Sequence, residues 1–134
     1  MAMNCRPIPT VDEAVNDIRM RTARIVNEDI LPNEANLWAG LSGEDEGDDT
    51  WSRRTERLEL RASIKERVKA EGLWAPHLPT EYGGMGLDFL AHAYMNEVLA
   101  YALGAASLFG VVAPNSGNQS ILVKYGTEDQ KQRW

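Results

Sequence analysis

The chain has 134 residues, the length of one domain, and its 43% hydrophobic and 25% charged content is that of an ordinary soluble globular protein. A formal net charge of −6 argues against nucleic acid and against an anionic membrane surface, since both need a basic face. No run approaches the ~20 apolar residues of a membrane span. The opening MAMNCRPIPT lacks a signal peptide's apolar core, and Cys5 is alone, so the chain reads as cytoplasmic, in a reducing compartment.

Thr10 and Glu13 have the spacing of a capping box, with Thr10 opening a first helix. Val11, Ala14, Val15, Ile18, Thr22, Ile25 and Val26 recur at helical spacing and form its apolar stripe. Pro32 is expected to stop it. Residues 33–50 carry Glu44, Asp45, Glu46, Asp48 and Asp49 among three glycines; such a run repels itself and reads as a mobile acidic loop. It lacks the ligand spacing of a calcium loop.

A second helix is expected from Trp51 to Glu71, with Leu58, Ala62, Ile64 and Val68 on its buried side and Gly72 taking the left-handed turn after it. Residues 73–86 hold two prolines and three glycines, which forbid regular structure. Asp88 caps a third helix carrying Phe89, Leu90, Ala93, Tyr94, Glu97, Val98, Tyr101 and Ala102, with Gly104 at its end. Residues 105–112 read as a short buried helix. A turn at 113–117 starts another helix over 117–125, ended by Gly126, and Thr127 with Gln130 forms a further capping box. No segment reads as a central strand, so the expected fold is all-α, a bundle of about five or six helices forming one domain over 1–134.

Tyr82-Gly83-Gly84-Met85-Gly86 precedes a helix and could cradle a phosphate there. It has neither the strand-turn-helix setting of a dinucleotide fingerprint nor the Gly-Lys-Ser/Thr of a P-loop. The simpler reading is that these glycines turn the backbone where a side chain would clash. His77 and His92 are the only histidines; with no nucleophile elbow and no third ligand they make neither a triad nor a metal site. Glu97 could act as a base, but a carboxylate paired with an arginine is commoner.

These same segments carry a family resemblance. Gly72-Leu73-Trp74 followed by Leu78-Pro79-Thr80-Glu81-Tyr82-Gly83-Gly84-Met85-Gly86 is similar to the "GLW…P…YGG.G" turn of acyl-CoA dehydrogenases. Glu97 stands where that family has an acid in its "E-E-L"-like helix, and Tyr125-Gly126-Thr127-Glu128-Asp129-Gln130-Lys131 resembles its "G-T/S-E-E-Q-K" helix start. The three agree in order and spacing over residues 55–134.

The resemblance implies a flavoprotein fold with an N-terminal helical domain, a middle β domain and a C-terminal four-helix domain. A carboxylate removes the α-proton of an acyl-CoA thioester and the β-hydride passes to FAD. The catalytic and flavin-binding residues belong to the later domains, so none is carried onto this chain, and FAD is not expected to be held by it alone. Relatives continue past the position of Trp134. The N-terminal domain walls the acyl-chain pocket; by register with the Gly126 turn, Leu103, Phe109, Ala113 and Asn118 are its candidate lining residues. Phe109 and Ala113, four apart on one helical face, pair a bulky with a small side chain, so Phe109 would limit the acyl tail unless it is core.

The implied partners are acyl-CoA, the middle and C-terminal domains or a partner subunit, and further copies in a homo-oligomer. Two alternatives stand beside the dehydrogenase. One is an acyl-CoA oxidase or nitroalkane-oxidase-like relative. The other is a non-catalytic helical module that binds a partner through Trp134, Phe109 and residues 105–113.

Overall fold

The computed structural model describes residues 1–38 and 50–133, and every regular element among them is helical. The longer helices are α1 (Glu13–Ile25), α3 (Thr50–Ala70), α4 (Phe89–Leu99), α6 (Asn115–Tyr125) and α7 (Glu128–Arg133). Two shorter ones are α2 (Glu34–Trp38) and α5 (Ala105–Leu108). The all-α bundle read from the sequence is the fold observed.

α1 begins later than the capping box suggests. Val11 N–H closes a turn on Ile8 C=O at 3.1 Å, and Thr10 lies within it. Asn16 locks that turn: its Oδ1 accepts from Ile8 N–H at 2.8 Å, and its Nδ2 donates to the Ile8 and Val11 carbonyls at 2.9 and 3.0 Å. The cap is therefore Asp12, whose side chain accepts from Ala14 N–H. Arg19 donates to the Arg6 carbonyl, and Asn27 exchanges two hydrogen bonds with the Met3 backbone. The first eleven residues are thus laced along α1, and its buried stripe holds Asn16 and Arg19 besides Thr22, Ala23 and Ile25, while Ala14 is exposed.

Pro32 does not stop the run. The chain leaves α1 through a wider π turn (Val26–Ile30) and a 3-10 turn (Leu31–Asn33) into α2. Pro32 sits in the first turn of a new element, where a missing N–H costs nothing. The expected loop is therefore helical over Glu34–Trp38, with Leu37 fully buried. Its acidic run lies outside the described residues.

α3 and its ending follow the sequence closely. Gly72 is left-handed at φ 68°, Gly72 N–H donates to Lys69 C=O and Leu73 N–H to Val68 C=O, both at 2.9 Å. This satisfies the last carbonyls, and Val68 and Leu73, both fully buried, supply the accompanying apolar contact. Ile64 and Val68 are core, but Leu58 and Ala62 face solvent; Leu60 packs on the core instead. Beside it Arg61 lies 4.8 Å from the centroid of the Trp38 ring and donates to Ser107 Oγ.

A charged clamp joins the C-terminal ends of α1 and α3. Arg67 reaches Glu28, Asp29 and Glu71 at 2.7, 2.6 and 3.1 Å, and Arg24 reaches Glu71 at 2.9 Å.

Asp88 caps α4, accepting from Ala91 N–H at 2.8 Å. The helix stops at Leu99 rather than Gly104, because Tyr101 and Ala102 N–H close tighter turns on Val98 and Leu99. Gly104, at φ 66°, instead starts α5. α5 in turn ends at Leu108, because Gly110 takes a left-handed turn at φ 76° under the Trp74 ring. α1 packs on α4, and α3 on α2 and α5. Between them lies one core of Ile25, Val26, Ile30, Leu37, Ile64, Val68, Leu73, Met95, Leu99, Leu108 and Phe109.

Candidate functional site

The end of the bundle formed by the 73–87 turn, α5, α6 and α7 holds the candidate residues. The turn is self-contained. Gly83, Gly84, Met85, Gly86 and Leu87 N–H donate to the carbonyls of Thr80, Pro79, Ala75, Leu78 and Pro76. These five amides are paired inside the turn, so the glycine segment itself offers none to a phosphate. Gly83 and Gly86 have positive φ, whereas Gly84 packs directly on the Leu78 backbone. Ala75 is buried with φ 47° and donates to the Phe109 carbonyl at 2.9 Å, which ties the turn to the end of α5.

The four candidate lining residues divide. Phe109 has no exposed surface and belongs to the core. Leu103 is 67% exposed, and its N–H donates to Glu34 Oε1. Ala113 and Asn118 are exposed. Phe109 and Ala113 do not share a helical face, since α5 ends before both and Gly110 turns the chain between them. Within residues 105–113, Ala105, Leu108 and Phe109 are buried, and the exposed residues are Val112 and Ala113. Trp134 lies outside the described residues.

The larger signal is α6 itself, which has no buried residue despite its eleven-residue length. Ile121 and Tyr125, four apart, are 60% and 79% exposed. With Asn118, Leu122, Gly126 and Gln130 they line an open depression of about 330 Å³. Their spacing was a legible signal for an apolar helix face. α7 opens on the expected capping box: Thr127 N–H donates to Gln130 Oε1 at 2.9 Å and Gln130 N–H to Thr127 Oγ1 at 3.3 Å.

On the other side α6 and α7 roof a cavity of about 420 Å³ over the turn, lined by Trp74, Leu78, Tyr82, Gln119, Leu122 and Lys131 among others. Two polar contacts join α6 and α7 to the turn. Lys131 Nζ donates to Tyr82 Oη at 3.2 Å, and His77 Nε2 lies 3.2 Å from Gln119 Oε1. The His77 and His92 rings stack with centroids 6.1 Å apart. Burial, and then the neighbouring His77, hold the His92 pKa below its ordinary value. Glu97 pairs with the buried Arg19 at 3.6 Å, a structural contact. Among the described residues no group of three metal-ligating side chains converges, and no helix is long and apolar enough to cross a membrane.

The family profile described as "Acyl-CoA dehydrogenase, N-terminal domain" matches residues 12–134. The chain is 35% identical over 126 residues to mouse (Mus musculus) "Acyl-CoA dehydrogenase family member 10", covering 90% of this chain and 11% of that protein. It is 29% identical over 118 residues to "Acyl-CoA dehydrogenase family member 11" of Pongo abelii, covering 88% and 14%. It is also 43% identical over 63 residues to "Acyl-CoA dehydrogenase fadE12" of Mycobacterium tuberculosis, covering 47% and 16%. The chain thus spans less than a sixth of the first two relatives it matches. No solved structure matches it significantly.

Proposed function

Because the chain belongs to the acyl-CoA dehydrogenase family, as its N-terminal domain, we propose that it walls the acyl pocket of an FAD-dependent dehydrogenase of acyl-CoA thioesters. The observation that carries this reading is α6, an eleven-residue helix with no buried residue and with Ile121 and Tyr125 open to solvent. A helix of that length keeps an apolar face only against something else. In this reading Leu103, Ala113 and Asn118 contribute the surface of the slot, and Phe109 supports it from the core.

The flavin is assigned to no described residue, since the glycine turn spends its amides internally. When bound by the middle and C-terminal domains, FAD would supply the hydride acceptor. This domain's part is to exclude water from the acyl tail and fix its length. A cytoplasmic homo-oligomer belongs to the same proposal.

The test uses the protein carrying this domain together with the middle and C-terminal domains. Adding a saturated acyl-CoA anaerobically should bleach the flavin absorbance, whereas the 134-residue chain alone should retain no flavin through gel filtration. A protein that is colourless, or yellow but unbleached by acyl-CoAs of any length, would overturn the proposal in favour of a binding module. Bleaching followed by rapid reoxidation in air would identify an oxidase.

A further inference from the structure

We propose that His77 and His92 form a proton-operated latch that holds α6 over the cavity between it and the 74–82 turn. The inference is independent of the acyl-pocket reading, since it concerns how α6 is attached rather than what it meets.

α6 has no buried residue, and its Gln119, Leu122 and Val123 line a cavity of about 420 Å³. Its own polar tie to the turn is the 3.2 Å contact between Gln119 Oε1 and His77 Nε2. In the tautomer that carries its proton on Nε2, His77 donates to the Gln119 oxygen and leaves Nδ1 without a proton. That Nδ1 and His92 Nε2 are both buried without a hydrogen-bond partner among the described residues. The His92 ring stacks on the His77 ring.

A proton arriving on His92 creates a buried N–H with no acceptor, and a charge against the adjoining ring. The groups around the pair do not compensate it. On α4, Asp88 is one turn away and caps the helix through Ala91 N–H, and it is not among the influences that act on His92, which are burial and His77. On α6 the facing group is the neutral Gln119. Glu81 of the turn and Lys131 of α7 line the cavity beyond, and Lys131 is engaged by Glu128 and Tyr82. The rings relieve the charge by parting, which draws His77 off Gln119. α6 then swings away while Lys131 of α7 stays on Tyr82. The sign follows from the His92 pKa being depressed in the fold. The latch is closed above the ordinary value of about 6.5 and opens as pH falls through the lower folded value.

The experiment is amide hydrogen exchange on the full chain from about pH 7.5 to about pH 5, corrected for intrinsic rates. Protection of 115–125, taken relative to that of 53–70, should fall by up to about tenfold per pH unit below about pH 6.5. The fall should vanish in His92→Phe, which keeps a ring but cannot titrate. A flat ratio in the unmodified chain, or the same fall in His92→Phe, would overturn the latch. Should His92→Phe fail to fold, NMR titration of the unmodified chain decides. The His92 ring signals and the α6 amides should move with one shared midpoint below about 6.5, and separate midpoints would refute the coupling.

Discussion

Adding one methyl group at Gly84 is the sharpest test of how the 73–87 turn is built. A Cβ there would fall on the Leu78 carbonyl oxygen, with Leu78 Cβ at 2.5 Å and the Leu78 carbonyl carbon at 2.6 Å. Two of these three atoms are backbone, so no rotamer change relieves the clash, and the two limbs of the turn must separate. The bonds that close them are Gly84 N–H to Pro79, Met85 N–H to Ala75 and Gly86 N–H to Leu78, at 3.2, 3.3 and 2.8 Å. At about 1 kcal/mol net for each, opening them costs roughly 3 kcal/mol, which for a domain of this size lowers Tm by roughly 10 °C.

Gly83 supplies the control. Its φ is +78°, and a Cβ added there would meet nothing within 4 Å, so Gly83→Ala incurs only the left-handed penalty of about 1 kcal/mol. His77→Ala, losing one hydrogen bond, should likewise cost less than Gly84→Ala. Thermal melts followed by circular dichroism measure all three. Equal losses for Gly83→Ala and Gly84→Ala would refute the close approach as the reason for Gly84.

Two further predictions concern the core and the clamp. Phe109→Ala empties a fully buried site in the centre of the bundle and should cost about 3–5 kcal/mol by urea denaturation; a loss under about 1 kcal/mol would place Phe109 outside the core. Arg67→Met removes three carboxylate contacts from a partly exposed guanidinium and should cost roughly 1–2 kcal/mol near neutral pH. Burial alone would raise the Glu71 pKa, but hydrogen bonds from Arg24 and Arg67 outweigh it and hold the carboxyl below its ordinary 4.5. That stabilisation is complete above about pH 4.5 and is lost as pH falls through the lower folded value. The gap between Arg67→Met and the unmodified chain should therefore close in acid, and an equal gap at about pH 7 and about pH 3 would contradict the clamp.

Much of the fold could be read where a local rule acts alone. The Gly72 turn, the Asp88 cap and the Thr127–Gln130 box each depend on residues within a few positions, and all three form as read. The misreadings share a cause: a distant partner decides. Thr10 loses the cap because Asn16 reaches back to the 8–11 turn. Leu58 and Ala62 have helical spacing but, among the described residues, stay in solvent. Phe109 and Ala113 look like one helical face until Gly110, placed under Trp74, breaks the helix between them. Asn16 and Asn27, eleven apart and hence on one face of a helix, were the available sign that the N-terminal stretch is tied down. The His77–His92 stack had no such sign, because it joins residues fifteen apart through a turn with no regular geometry.

The acyl-pocket proposal is tested most directly at Ala113, a small exposed residue in the segment just before α6. The measurement is the acyl-chain-length profile of kcat/KM for Ala113→Phe, made in the protein that carries this domain with its middle and C-terminal domains. If Ala113 lines the slot, the added ring shortens it, and each methylene excluded forfeits about 0.8 kcal/mol, or roughly fourfold in kcat/KM. The optimum should move to shorter acyl-CoAs while flavin content and activity on the shortest substrates stay unchanged. An unaltered length profile in a fully flavinated Ala113→Phe protein would contradict the account.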